Sequence, residues 1–345
     1  MTAGELFNEY DVLFIDMFGV IWDGISWIEG AMETLAALVK RGKTVIILSN
    51  ASISTSHMLR KYAFPAIRQG EQFSEFITSG EVLNYILRSG TLSFFSVKSP
   101  KTYTLFGNQT CSNFDGSAYV HVNSVAEADF IYASIPQLCS KQKALLSKEL
   151  QDLLIVSNMR SDGELVWDST SVEPFLEQLE EFASKNKPML VANPDKFALV
   201  GMSNSHDSKD YTPKLVVRQG SIGEAYANRG GEVKFIGKPY LEVYHYAMNS
   251  AAKFRGLQFD QLHGLKMAMI GDTLETDILG AQNATFEFGI KMDGILVKGG
   301  ISCRDMLDAG VDSANELAVR QYCSSRSISP EHVIDKLFLN ANVLY

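Results

Sequence analysis

The 345-residue chain has few of the residues that staple or ligate, with four cysteines and six histidines. Cys111, Cys139, Cys303 and Cys323 stand apart without a CxxC pair, and the histidines share no ligand spacing. A disulfide framework and a zinc finger or ribbon are therefore excluded, and thiols of this kind are expected to be reduced, as in a cytoplasmic protein. No apolar stretch approaches the roughly 20 residues that cross a bilayer. The first ten residues carry Glu5 and Glu9 but no lysine or arginine, so they lack the basic and apolar regions of a signal peptide. No basic run occurs, and 31 Lys and Arg against 40 Asp and Glu leave a net charge of -9. Nucleic acid and an anionic membrane are thereby poor partners. What is present is ordinary globular material: 46% hydrophobic and 21% charged residues are enough core for one large domain or two.

The organising stretch is Val12-Leu13-Phe14-Ile15, an apolar run that ends abruptly in Asp16. Such a run reads as a strand buried on both faces, with its carboxylate at the C-terminal end where open parallel sheets hold ligands. The chain then alternates. Helices are expected over Gly30–Lys40, Ser54–Tyr62 and Gly80–Arg88, and strands over Thr44–Leu48 and Phe76–Thr78. This βαβαβα order is the signature of a doubly wound α/β parallel sheet. From 90 to 206 the pattern changes, with strands expected at Phe94–Val97, Thr102–Phe106, Phe130–Ala133, Leu153–Val156 and Met189–Ala192 and helices at Lys141–Gln151 and Pro174–Ala183. We read this as an inserted α/β cap domain, closed by the polar stretch Ser203–Asp210, with the core formed by 1–89 and 207–345. The core pattern resumes with a helix at Ser221–Arg229, a strand at Val233–Ile236, a helix at Leu241–Phe254 and strands at Lys266–Ile270 and Gly294–Val297. The rest, 301–345, reads as a mostly helical tail.

Asp16, Ser49, Lys238 and Asp272 each stand at or just after the end of an expected buried strand, so the sheet gathers all four at one edge. Two carboxylates make a hard oxygen site suited to Mg²⁺, which takes carboxylates, waters and phosphate oxygens. Ser49 can donate to a phosphate oxygen, and Lys238 brings a point charge. Each residue alone has an ordinary explanation: a turn aspartate, a helix N-cap at Ser49, a solvated lysine, an acidic helix start. Together, in this order, they point to a phosphate site.

The motifs Asp16-Met17-Phe18-Gly19-Val20, Ser49-Asn50, Gly237-Lys238-Pro239 and Gly271-Asp272 through Asp277 resemble those of the haloacid dehalogenase (HAD) superfamily. Val20-Ile21-Trp22, Ile77-Thr78-Ser79-Gly80 and Asn193-Pro194-Asp195, with the position of the insertion, resemble subclass IIA, the NagD and p-nitrophenyl phosphatase group. The resemblance implies a phosphatase acting on a small phosphorylated metabolite, with Asp16 as nucleophile and Ser49, Asn50 and Lys238 holding the phosphate. It also implies Mg²⁺ bound by Asp16, the Phe18 carbonyl and Asp272, supported by Asp277, and a homodimer, since relatives of the subclass are often dimers. One position departs from the family pattern: Phe18 stands where an aspartate normally protonates the leaving alcohol and later activates water, general acid/base service worth roughly 10²–10⁴-fold. Three readings follow: a slow phosphatase or one restricted to good leaving groups, a different reaction at Asp16, or a non-catalytic phosphate-ligand-binding or regulatory protein. Dehalogenation, which needs no acid, fits poorly with Gly271-Asp272, because dehalogenases lack that pair and use no Mg²⁺. The polar turn Met159–Gly163 is a candidate specificity loop or an ordinary hairpin, and Asn193-Pro194-Asp195 reads as a turn.

Overall fold

A computed structural model describes residues 3–24, 26–61, 67–107, 112–159, 163–200 and 214–337. The chain divides into two compact units. The first takes the residues up to Ser49, then Thr55–Thr78, and resumes at Gly237; the second takes Asn50–Ser54 and Ser79–Ile236.

The first unit is built on a six-stranded sheet in the order His332–Ile334, Met292–Val297, Met267–Gly271, Val12–Ile15, Thr44–Ser49, Glu75–Thr78. Every pairing is parallel. Val12–Ile15, Thr44–Ser49 and Met267–Gly271 are buried along their whole length, as expected of apolar strands covered on both faces. Val12–Ile15 lies centrally: its successors in the chain run outward on one side, while the late strands build the other. The strand order reverses between Val12–Ile15 and Met267–Gly271, the place where such sheets open a crevice at their carboxyl ends. Helices Ala31–Lys40, Leu241–Phe254 and Leu279–Phe288 belong to this unit. The first ends at Gly42, whose φ of +74° is the left-handed conformation of a helix stop.

The tail differs from its expectation. Helices Gly300–Asp308 and Glu316–Ser325 are present, but His332–Ile334 adds a sixth strand beside Met292–Val297. Three residues are too few to show a period, so this strand is invisible to pattern reading. The segment has its own small core of Leu274, Ile278, Leu296, Met306, Val319, Cys323 and Ile328.

The second unit contains a five-stranded parallel sheet in the order Val233–Phe235, Met189–Val191, Phe130–Ala133, Thr102–Phe106, Val120–His121. Two antiparallel pieces accompany it: the three strands Leu138–Cys139, Leu165–Ser169 and Leu154–Met159, and the pair Phe197–Val200 with Lys214–Val217. Its core joins Phe106, Ile131, Phe175, Leu179, Met189, Ile222 and Tyr226.

Several expectations for this region need correction. The strand at Val233, expected in the first unit, pairs with Met189–Val191, and the helix Gln219–Ala227 contributes Ile222 and Tyr226 to the second core. The second unit thus runs to Ile236 rather than to 206, and it begins at Ser79 rather than at 90. A short strand and a helix buried on nearly every side look alike in either unit, so only partner choice decides. Phe94–Val97 is not a strand, because the Glu232 carboxylate accepts the backbone N–H groups of Phe95 and Ser96 and takes them from any ladder. The helix expected at Lys141–Gln151 is two pieces, Ser140–Leu145 and Lys148–Gln151, separated where Ser147 caps the second by accepting from the Leu150 N–H. The Ser203–Asp210 linker and Arg160–Asp162 of the candidate specificity loop lie outside the described residues. No helix among the described residues is long and apolar enough to cross a membrane.

Candidate active site

Asp16 follows the last residue of the central strand, and its own N–H still donates to the Ile270 carbonyl at 2.8 Å. The carboxylate is thereby fixed to the sheet edge beside the end of Met267–Gly271. The chain must then turn at once. The N–H groups of Ile21 and Trp22 both donate to the Met17 carbonyl, at 3.0 and 2.9 Å, and Gly19 adopts φ +81°. A Cβ on Gly19 would overlap the Asp272 carboxylate, so glycine serves here for close approach as well as for φ.

Lys238 is 1% exposed, and its ammonium donates to Asp16 Oδ1 at 2.6 Å and to Asp277 Oδ1 at 2.7 Å. These paired carboxylates hold the lysine charged: their attraction and that of Tyr244 outweigh the burial that opposes it, and its pKa rises. Asp277 sits in a π-helical turn, Leu274–Ile278, with Oδ2 accepting from the Thr273 N–H at 3.1 Å. The Tyr244 hydroxyl donates to the carbonyls of Thr276 and Asp277, at 3.3 Å each, and so props the same turn from the helix Leu241–Phe254. Asp272 Oδ2 accepts from the Ile301 N–H at 2.7 Å, and its Oδ1 accepts from the Thr273 hydroxyl at 3.3 Å.

Asp16, Asp272 and Asp277 offer carboxylate oxygens that lie within 4.8 Å of one another. Burial, reinforced by the charges of Asp16 and Asp277, raises Asp272 well above the usual carboxylate range. Burial also pushes Asp277 up to about 7, with Lys238 opposing and Asp16 assisting. Three carboxylates against one ammonium, all oxygen donors in a buried pocket, make a donor set that fits a hard divalent cation.

Of the sequence-derived residues, the structure brings Asp16, Lys238, Asp272 and Asp277 into one cluster. Ser49 ends the adjacent strand, two residues beyond Ile47, the register partner of Ile15, and is buried. Asn50 belongs to the second unit, where its amide donates to Asp195 Oδ1 at 2.8 Å and accepts from the Ser79 hydroxyl at 3.2 Å. Asn193-Pro194-Asp195 is a turn closed by the Asn193 side chain, which accepts from the Asp195 N–H. Phe18 is 36% exposed and carries no titratable group. Sequence reading missed Thr273, Tyr244 and the Gly300–Ser302 turn. The last was within reach, because Gly299-Gly300 also follows a buried strand, Met292–Val297.

A family model described as haloacid dehalogenase-like hydrolase matches residues 13–114, and one described as HAD-hydrolase-like matches 235–337, together more than half of the chain. The chain belongs to the haloacid dehalogenase-like hydrolases. The matched blocks carry Asp16, Ser49, Lys238, Asp272 and Asp277 between them. Phosphoglycolate phosphatase 2 of Arabidopsis thaliana is 33% identical over 74 residues, 20% of this chain and 25% of that protein. Thus the match spans only a quarter of the length of that relative. A haloacid dehalogenase-like hydrolase from Brucella suis shares the fold with a TM-score of 0.64 at 19% identity, over 96% of each chain. A possible sugar phosphatase of the HAD superfamily from Cytophaga hutchinsonii gives 0.63 at 17% identity, over 99% of this chain and 98% of its own. At these identities the likeness is one of fold.

Proposed function

We propose that this HAD-like hydrolase is a Mg²⁺-dependent phosphomonoesterase that works through an aspartyl phosphate on Asp16. The observation that carries the reading is the buried cluster at the strand-order reversal, where Lys238 holds Asp16 Oδ1 while Asp272 and Asp277 stand within ligand distance. Asp16, the Phe18 carbonyl and Asp272 would hold the cation, with Asp277 acting mainly as the lysine's second anchor. When bound, the cation neutralises the phosphoryl oxygens and the carboxylates that face them.

The chain's own groups supply the remainder. Lys238 orients Asp16 so that one carboxylate oxygen can attack phosphorus; the bond from phosphorus to the ester oxygen breaks and its electron pair leaves with the alcohol. Ser49 and Lys238 donate to the non-bridging oxygens, where charge gathers. Water then attacks the phosphorus of the aspartyl phosphate; its bond to the Asp16 oxygen breaks, the electron pair returns to the carboxylate, and the water's proton leaves with the inorganic phosphate, since Phe18 cannot accept it. Phe18 can donate no proton to the leaving oxygen, so aryl and acyl phosphates, whose leaving groups are stable as anions, are the favoured substrates, and sugar alkoxides the disfavoured ones. The names of the relatives, a phosphoglycolate phosphatase and a possible sugar phosphatase, support phosphate-ester chemistry without fixing the alcohol.

Phe18 also favours a second reading, a phosphate-binding protein without turnover. Phosphate release from aryl, acyl and sugar phosphates, with and without Mg²⁺, separates the two when wild type is compared with Asp16→Asn. Metal-dependent release from the aryl or acyl members, abolished by the substitution, is the expected result. Release no greater than that of Asp16→Asn on every substrate would leave the binding protein in its place.

A further inference from the structure

The turn Gly299–Ser302 opens the helix Gly300–Asp308 and converges on one residue, Asp272. The Ile301 N–H donates to Asp272 Oδ2 at 2.7 Å. The Ser302 N–H donates to the Asp272 carbonyl at 3.1 Å, and the buried Ser302 hydroxyl donates to the same oxygen. Gly300, at φ +47°, lies so close that a Cβ would overlap Oδ2, as would one on the neighbouring Gly19. Oδ2 is thus crowded by two glycine backbones while it accepts an amide N–H. Oδ1 is the freer oxygen: no glycine backbone crowds it, and its partner is the Thr273 hydroxyl at 3.3 Å, a group that can rotate away.

We propose that the Gly299–Ser302 turn is a selectivity clamp for the cation: by holding Oδ2, it makes Asp272 a one-oxygen ligand and so favours Mg²⁺ over Ca²⁺. The physical reason lies in the coordination habits of the two ions. Mg²⁺ demands near-octahedral geometry at about 2.0–2.1 Å and is content with single carboxylate oxygens, whereas Ca²⁺ takes six to eight oxygens and gains from bidentate carboxylates. A carboxylate that cannot rotate to offer both oxygens withholds that gain. Groups that hold a ligand in this way typically change metal affinity by roughly 10–100-fold when removed. Ser302 and Ile301 touch neither substrate nor cation, so they are positioning residues.

The inference rests on the reading of Asp272 as a cation ligand, and the experiment separates the two. Mg²⁺ and Ca²⁺ affinities are measured by calorimetry on the full chain for wild type, Ile301→Pro, Ser302→Ala and Asp272→Asn, with folding checked by circular dichroism. Ile301→Pro removes the one N–H that holds Oδ2 and sets a ring carbon in its place, which pushes that oxygen out of the clamp, at a position in the first helical turn where proline is tolerated. It is expected to weaken Mg²⁺ binding roughly tenfold or more while Ca²⁺ binding stays level or tightens, so the Mg²⁺ to Ca²⁺ preference falls. Ser302→Ala, which keeps that N–H and removes only the hydroxyl, should shift the preference in the same direction by less. An equal loss for both ions would mean a merely structural role and would overturn the clamp, as would unchanged affinities in both variants. If Asp272→Asn binds Mg²⁺ like the wild type, the ligand reading itself is wrong and the clamp falls with it. Should Ile301→Pro fail to fold, Ser302→Ala decides alone by the same criterion.

Discussion

Replacing Lys238 by methionine tests the arrangement of the charge cluster most directly. The methionine keeps much of the buried stem and removes the ammonium that bridges Asp16 and Asp277. Each of the two hydrogen bonds joins charged partners, a class worth about 1.5–3 kcal/mol. Removing one member of a buried pair costs about 3–5 kcal/mol, because the other charge is left without compensation. The Asp277 half should dominate, since its side chain is 0% exposed against 12% for Asp16. We therefore expect Lys238→Met to destabilise the metal-free first unit by about 3–5 kcal/mol at pH 8, and Asp277→Asn in the same background to recover more than half of the loss. The matched control is Lys266→Met, whose partner Glu9 lies 3.9 Å away on a side chain 46% exposed, and whose loss should stay below about 1 kcal/mol. The assay is urea unfolding in EDTA, followed by the fluorescence of Trp22 and Trp27 with Trp167→Phe as the common background. A Lys238→Met loss no larger than that of Lys266→Met would refute the reasoning, and so would strict additivity of the double substitution.

Two further outcomes follow from the same site. Asp277 is pushed up to about 7 from 3.8, so its contribution to metal-free stability is complete below the lower value and is lost as pH rises through the upper one. Urea midpoints in EDTA should fall across that window, Mg²⁺ should restore them at the alkaline end, and cation binding near pH 7 should release protons to a buffer; a flat profile in EDTA would contradict this. Phe18→Asp restores a group that can protonate a leaving alcohol and activate water, so turnover of sugar phosphates should rise by roughly 10²–10⁴-fold, with a smaller gain on acyl phosphates through hydrolysis of the shared aspartyl phosphate. No gain on sugar phosphates would show that Phe18 limits the protein through something other than proton transfer.

Most of the core was legible because its strands are apolar on both faces and end in chemistry. Val12–Ile15, Thr44–Ser49 and Met267–Gly271 each announce themselves by composition, and the βα order then fixes which ends meet. For the same reason Asp16, Lys238, Asp272 and Asp277 were found together. What stayed hidden depends on partner choice rather than on local pattern. The helix Gln219–Ala227 is buried on nearly every side and has no polar face to reveal its layer, and Val233–Phe235 is as content beside Met189–Val191 as it would be beside any parallel strand. That the Asn50 amide reaches Asp195 and Ser79, residues far along the chain, was equally hidden, since only its place after Ser49 is local. His332–Ile334 was too short to register at all.

The placement of the first strand in the middle of its sheet also governs how the protein comes off the ribosome. Val12–Ile15 can pair early with Thr44–Ser49, but its other edge is filled only by Met267–Gly271. Val12 and its partner Met267 are 255 residues apart, so at roughly 5–20 residues per second a nascent chain carries that apolar edge unpaired for on the order of 13–51 s. During this interval the intervening second unit can complete its own parallel sheet, while the half-built first one offers an open strand of Val, Leu, Phe and Ile. Synthesis rather than denaturation is then the stage at which this protein is most exposed to aggregation, and chaperone demand should peak before residue 271 emerges.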